Sequence, residues 1–223
     1  EMCLEGAAKL GWIDGIMLTY NYRIMNGDHM KAAVEAAAKA GIGLTAMKTQ
    51  AAPARRQPGA ADGEPDAADS LLEHFSRRGF SPQQAKLKIV WETAEIAAIC
   101  SAMYTVSVLK ANVAAALDKT QLTEADRQAL WAEAVASRAA YCGGCTRLCE
   151  AVVGSRVPIG DILRSLMYAR SYGDAVLARQ TLREAGCGSW TEICGMDFAA
   201  AERACPNGLP IAGLIREAAR LFA

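Results

Sequence analysis

Three cysteines crowd into eight residues of this 223-residue chain, and a fourth follows much later with a proline directly behind it. The close set is Cys142-Gly-Gly-Cys145-Thr-Arg-Leu-Cys149, and the distant pair is Cys205-Pro206. A 4Fe-4S cluster is held by four thiolates, of which a tight loop can supply three and a remote segment the fourth. The spacing therefore predicts one 4Fe-4S cluster bound by these four cysteines.

The residues beside these cysteines suit such a site. Gly143 and Gly144 let the backbone turn tightly, so that its N–H groups can point at the sulfur atoms of a cluster. Pro206 removes one backbone donor and fixes the chain directly after the last ligand. The local sequence thus favours a compact ligand loop and a rigid fourth position.

Other uses of the thiols stay open. Cys187 and Cys194 precede Cys205, and either is an alternative fourth ligand, although the proline favours Cys205. Zinc sites prefer two C-x2-C pairs, or mixtures of Cys and His, with a short span between the halves. This chain fits that pattern poorly. A zinc-stabilised helical module, and disulfides or inert core thiols, are the competing interpretations.

Two cysteines and both histidines are assigned no role. Cys3 stands in a helical pattern and Cys100 in a strand pattern, where a thiol is usually core filling. His29 follows a predicted turn and His74 sits in a charged helical pattern. Both histidines are therefore expected on the solvated surface.

The overall composition limits the classes of protein to which this chain can belong. The chain can bury a core, since 52% of its residues are hydrophobic. The number of Lys and Arg residues, 24, equals the number of Asp and Glu residues. No net charge would attract a nucleic acid or an anionic membrane, so neither is an expected partner. The longest apolar stretch, residues 96–109, is shorter than the roughly 20 residues of a membrane-spanning helix. A cytoplasmic protein is the default expectation.

Residues 1–140 alternate short apolar runs with helical patterns, which is typical of a parallel sheet with crossover helices. Strands are predicted at Gly15–Tyr20, Ile42–Met47 and Ile96–Ser101. The helix between the first two strands would have Asp28 as its cap. The predicted fold class of this part is α/β.

The rest of the sequence predicts one loop and several further helices. Residues 50–68 are rich in Pro, Ala, Gly and charge without apolar periodicity, which predicts a mobile loop. Ser81, followed by proline, opens a helix, and Thr123 with Asp126 resembles a capping box. Short amphipathic patterns without strands predict a separate helical domain over residues 141–223. The other helices are predicted at 105–117, 123–140, 159–170, 174–184, 197–204 and 211–222.

Two groups of residues carry a family resemblance. The first group is Asp14-x5-Tyr20-Asn21, Gly41-Ile-Gly-Leu-Thr-Ala-Met47-Lys48-Thr49 and Leu109-x-x-Asn112. The second is Tyr141-Cys-x-x-Cys-x-x-x-Cys149, Leu163-Arg-x-Leu-Met-Tyr168 and Ala201-Glu-x-x-Cys205-Pro, with Leu209-Pro-Ile211. The first group resembles the last three strand units of bacterial aldo/keto reductases. The second is similar to the ferredoxin-like extension of the iron-sulfur branch of that family.

The resemblance implies a (β/α)8 TIM barrel, of which this chain holds about the last three strands, followed by an all-helical iron-sulfur domain. The family's catalytic Asp, Tyr, Lys and His belong to the first four strands, which would precede Glu1, as would any twin-arginine export signal. The implied activity is reduction of a small carbonyl substrate by hydride from NAD(P)H, and this chain alone is expected to be inactive. The alternative is a non-enzymatic electron-transfer or partner-binding subunit, whose half barrel another chain completes.

The resemblance also implies part of a cofactor site. Met47 falls where the family packs a side chain on the nicotinamide, and Asn112 falls where an Asn lies near the adenine. Ala102 and Val108 stand where NADP-preferring members have basic side chains, and Met17 stands where many members have Gln. The nicotinamide and adenine contacts are therefore expected from Met47 and Asn112.

Overall fold

The computed structural model describes four stretches of the chain, namely residues 1–51, 67–138, 141–171 and 173–223. These residues form two compact units, the first ending at residue 135 and the second beginning at residue 136. Most of the predicted mobile loop, residues 52–66, lies outside the described part of the chain.

A parallel sheet forms the centre of the first unit, with its three strands in the order β1-β2-β3. The strands are β1 Gly15–Thr19, β2 Gly43–Met47 and β3 Ile96–Cys100. The three strand predictions and the α/β class are confirmed. The described residues contain this open sheet and no closed barrel, so the complete TIM barrel stays a prediction.

Helices connect and flank the strands, as right-handed crossover units require. Their bounds are α1 Met2–Ala7, α2 Asp28–Lys39, α3 Ala67–Arg77, α4 Pro82–Trp91, α5 Val106–Leu117 and α6 Glu124–Ala136. The prediction that Asp28 caps α2 is wrong. Asp28 is already helical, and the cap position belongs to Gly27, whose extended backbone needs no side chain to begin the helix.

Side-chain caps fix the start of two of these helices. Before α4, the Gln84 N–H donates to Ser81 Oγ at 3.2 Å, and the Ser81 N–H donates to Gln84 Oε1 at 2.8 Å. Before α6, Asp126 and Thr123 exchange the same two bonds, at 3.2 and 2.8 Å. Both capping predictions are confirmed, because each depends on residues only three positions apart.

Among the described residues, helices cover one face of the sheet. Leu44 and Ala46 of β2 are completely buried against the helices, whereas Met17 of β1 points to the opposite face and is 55% exposed. Cys100 pairs with Met47 and lies on this uncovered face. The prediction of buried core thiols is therefore wrong for Cys100, and also for Cys3, which is exposed on α1.

A buried carboxylate links α3 to α6. Asp126 is fully buried; its Oδ1 lies 2.7 Å from His74 Nε2, and its Oδ2 accepts from Arg78 Nε at 3.2 Å. His29 is exposed, as expected. The surface prediction is wrong for His74, because a carboxylate 52 residues away in sequence anchors its ring.

Burial alone would raise the pKa of Asp126, but hydrogen bonds from Thr123, His74 and Arg78 outweigh it and lower the pKa to about 2. A carboxyl group whose pKa is lowered by folding stabilises the fold above its unfolded pKa, and this contribution disappears as the pH falls through the folded pKa. Asp126 therefore stabilises the first unit above about pH 4, and less and less toward pH 2.

We predict that Asp126→Asn lowers the free energy of unfolding at neutral pH by roughly 1–3 kcal/mol, because three donors lose a charged acceptor. The variant should also lose less stability than the wild type between pH 4 and pH 2. Urea unfolding followed by circular dichroism measures both effects. The matched control is Asp69→Asn, an exposed carboxylate on α3. Equal midpoints for wild type and Asp126→Asn would contradict the role of this network.

The secondary structure of the second unit consists of helices, with no strand among its described residues. Its helices are α7 Thr146–Cys149, α8 Ile159–Ser171, α9 Ala175–Glu184, α10 Trp190–Cys194, α11 Ala199–Ala204 and α12 Ile211–Phe222, with a 3-10 turn at Ala151–Val153. Its core includes Ile159 and Ile162 of α8 and Ile211 and Ile215 of α12, all fully buried. No helix in the described part of the chain is long and apolar enough to cross a bilayer.

Candidate metal centre

The four predicted cysteine ligands line one pocket of the second unit. Cys142, Cys145 and Cys149 form one side of it, and Cys205 comes to the same cavity from the far end of the sequence. All four thiols are free of disulfide bonds. The fold thus brings the close set and the remote cysteine to one place.

The two alternative fourth ligands lie elsewhere. Cys187 and Cys194 are half-buried and pack against the apolar core of the second unit, and neither is part of the pocket wall. Burial raises the pKa of the Cys187 thiol, as in an apolar core position. Among the three candidates, Cys205 is therefore the thiol that the structure brings to the other three.

The thiols of the pocket influence one another electrostatically. Burial raises the pKa of Cys142, and the charges of Cys145 and Cys205 raise it further, against a hydrogen bond from the Gly144 N–H. Burial also raises the pKa of Cys149 to about 11, with a smaller increase from neighbouring negative charges. Several thiolates at this place repel one another, so they need a compensating positive charge, which ligated iron would supply. The donor set fits an iron-sulfur cluster.

The close set is held in a turn followed by a short helix. Gly144 has a φ of 77°, in the left-handed region that favours glycine, and Cys145 then occupies the cap position of α7. Cys149 is the last residue of α7. One turn of helix therefore separates the second and third cysteines and directs both toward the pocket.

The start of α8 fixes α7 in position. Gly160, in the first turn of α8, donates its N–H to Glu150 Oε1 at 2.9 Å. A Cβ atom at Gly160 would overlap the methyl group of Thr146, in the first turn of α7. Glycine is therefore required where the two helices approach each other.

Two hydrogen bonds fix the segment that carries the fourth cysteine. Asn207 Nδ2 donates to the carbonyl of Tyr141 at 2.7 Å, directly before Cys142. The guanidinium of Arg138 donates to the carbonyl of Pro206, directly after Cys205. These contacts join residues 66 and 68 positions apart along the chain.

Sequence reasoning missed four residues that support the pocket. They are Arg138, Glu150, Gly160 and Asn207. The Asn-Gly pair at 207–208 was a turn signal that could have drawn attention to the segment after the Cys-Pro pair. The other three act through partners that are distant in sequence or lie in a neighbouring helix, and no local pattern indicates them.

No group of three or more His, Cys, Asp and Glu side chains in the described ranges is placed to hold a metal ion. The four cysteines line one pocket without forming such a group.

The residues expected at a nucleotide cofactor lie in the first unit. Met47 is half-buried at the carboxyl end of β2. Asn112 is buried on α5; its Oδ1 accepts from Gln50 Nε2 at 3.0 Å, and its Nδ2 donates to Ser101 Oγ at 3.1 Å. Gln50 lies three residues after the end of β2 and Ser101 directly follows β3, so Met47 and Asn112 share the carboxyl edge of the sheet. Ligands of parallel sheets commonly bind at this edge.

Comparisons with protein-family models, with curated proteins and with solved structures found no match to this chain.

We predict that Gly160→Ala destabilises the second unit by roughly 1–3 kcal/mol, because the added methyl group overpacks the contact between α7 and α8. Thermal unfolding measures the effect. Adding Thr146→Ser, which removes the methyl group that the new side chain meets, should restore part of the loss.

The matched control is Gly213→Ala in α12, where an added Cβ atom meets no other atom within 4 Å. This substitution should leave stability unchanged or raise it by up to about 1 kcal/mol, since alanine is the better helix former. If Gly160→Ala and Gly213→Ala had the same effect, the close approach at Gly160 would be disproved.

Proposed function

We propose that this chain is a redox protein that binds one 4Fe-4S cluster through Cys142, Cys145, Cys149 and Cys205. One observation carries the proposal: four cysteines from two distant segments line a single pocket. When bound there, a cluster of this type supplies one-electron redox chemistry.

The protein's own contribution is to hold the four thiols together and to shield them. The hydrogen bond from Gly160 to Glu150 and that from Asn207 to Tyr141 keep both ligand segments in place. Ile159 and Ile211, both fully buried, form apolar parts of the pocket wall and limit access of water. Burial of this kind is one of the factors that set the potential of a cluster.

We predict that Cys149→Ser and Cys205→Ser abolish cluster loading, because each removes one of four thiolate ligands. Anaerobically purified protein should be brown, with a broad visible absorbance and about four irons per chain in the wild type. Iron and sulfide analysis, together with the visible spectrum, measures the loss in each variant.

Two sets of controls make this experiment specific. Cys187→Ser and Cys194→Ser should retain the cluster, since both thiols pack away from the pocket, and Cys3→Ser should retain it because that thiol is exposed on α1. Equal iron content in Cys149→Ser and Cys3→Ser would contradict the assignment. Colourless protein with stoichiometric zinc would establish the zinc-stabilised module instead.

We further propose that the first unit is the later part of an aldo/keto reductase-type barrel, which reduces a small carbonyl compound with NAD(P)H. The parallel order of its strands and the resemblance of its sequence support this proposal. A purely parallel sheet is normally covered on both faces, whereas the described residues leave the face around Met17 and the edges at β1 and β3 open. Further strands would cover both the face and the edges.

A second candidate function is a non-enzymatic electron-transfer subunit completed by another chain. The observation that favours it is an apolar stripe on α5, formed by Val106, Leu109, Val113 and Leu117. Val106 and Leu117 are 66% and 71% exposed, at the two ends of the stripe. A patch of this kind is typical of a contact surface.

We predict that residues 1–223 alone do not oxidise NADPH in the presence of small aldehydes or ketones, because the family's catalytic tetrad has no counterpart here. The absorbance of NADPH, followed with cluster-loaded protein, measures the rate against a protein-free control. Turnover above the control, abolished by Asn112→Ala, would show that the expectation of an inactive chain is wrong.

A further inference from the structure

The mouth of the cysteine pocket is formed by exposed residues. Gly143, Cys145 and Pro206 are exposed there, and Leu148 leaves 49% of its side chain in solvent. Cys142 and Cys149 lie deeper and are half-buried. Because electron transfer weakens steeply with distance, a partner must approach through the side at which Cys145 meets solvent.

Three arginines surround this mouth. The guanidinium of Arg164, on α8, has a nitrogen 3.9 Å from where a Cβ atom of Gly144 would stand. Arg138 binds the carbonyl of Pro206, which also lines the pocket, and Arg147 lies in α7 directly before Leu148. All three side chains are exposed. We refer to Arg138, Arg147 and Arg164 as the arginine rim.

The acidic side chains near the arginine rim interact with backbone groups of the fold. Glu150 accepts the N–H of Gly160 at 2.9 Å, and Glu202 accepts the N–H of Ala212 at 2.9 Å. Asp161 is half-buried in the first turn of α8, where a carboxylate interacts favourably with the helix dipole. These three carboxylates keep their negative charge but are half-buried, whereas the three arginines are exposed, so the charged side chains most open to a partner at the rim are arginines.

The basic residues of this part of the chain are all of one type, which also bears on the kind of partner. Residues 136–223 contain no lysine, so every side chain that carries a permanent positive charge there is an arginine. The planar guanidinium binds carboxylates through two parallel hydrogen bonds and does not lose its charge in proteins. Interfaces commonly have an apolar centre and a polar rim, and here Leu148 is the centre and the arginines form the rim, which suits a carboxylate-rich partner protein.

We infer that the arginine rim docks an acidic one-electron carrier protein above Cys145, an inference that depends on the proposed cluster. One electron passes between the carrier and the bound cluster, so that one of them is oxidised as the other is reduced. The positive rim attracts the carrier, and Leu148 supplies the apolar contact at its centre.

The test uses full-length holoprotein whose cluster has been reduced, mixed in a stopped-flow instrument with one of two small oxidants. Tris(oxalato)cobaltate(III) is the anionic probe, and hexaammineruthenium(III) is the cationic probe. Each accepts one electron, and loss of the absorbance of the reduced cluster gives the rate. The rates are compared across a series of salt concentrations, for the wild type and for the double variant Arg147→Gln/Arg164→Gln.

For the wild type, the rate with the anionic probe should fall as salt is added, and the rate with the cationic probe should rise. The double variant should react with the anionic probe roughly three to ten times more slowly at low salt, and the difference should vanish at high salt. Arg183→Gln on α9, a helix that contributes no side chain to the pocket wall, should behave as the wild type.

Iron content is measured for each preparation before mixing. A wild-type protein that binds no iron would overturn the cluster function and, with it, this inference. If the cluster is loaded but its reaction rates with both probes do not change with salt, or do not change in the double variant, the docking surface alone would be overturned. If the double variant fails to retain its cluster, the single charge reversal Arg147→Glu is compared in its place, and an unchanged rate with the anionic probe would again refute the docking surface.

Discussion

The burial of neighbouring thiols is the constraint on which the cysteine pocket of the second unit depends. Cys142 and Cys149 have raised thiol pKa values because they are partly buried and because other negative groups lie close to them. Such an arrangement opposes ionisation of the thiols as long as no cation is bound. The free energy that holds the ligands together must therefore come from the surrounding fold.

That free energy comes from residues with two roles. Ile159, Leu163, Leu209 and Ile211 belong to the apolar core of the second unit and also line the cysteine pocket. Packing of α8 and α12 thus forms the back wall of the site. The hydrogen bonds of Glu150 and Asn207 then tie the two ligand segments to this wall and to each other. The packing of the core therefore also holds the ligand segments of the site in position.

In the first unit, by contrast, the described residues leave one surface uncovered. Its sheet buries Leu44 and Ala46 but leaves the Met17 face open, and α5 carries an exposed apolar stripe. Met47 and Asn112 share the carboxyl edge of the sheet, where a nucleotide would bind in the proposed barrel. The polar groups of Asn112 are already bonded to Gln50 and Ser101, so its direct role there is to join the ends of β2 and β3.

The sequence by itself determined the features that depend on neighbouring residues. The strands, the capping pairs before α4 and α6, and the tight cysteine turn follow from patterns a few residues long, because local propensity and hydrogen bonding set them. Only the tertiary structure decided which of Cys187, Cys194 and Cys205 joins the pocket. It also placed Cys100 on an open face and His74 beside Asp126. These outcomes depend on contacts between residues that are distant along the chain, and packing creates such contacts without a local signal.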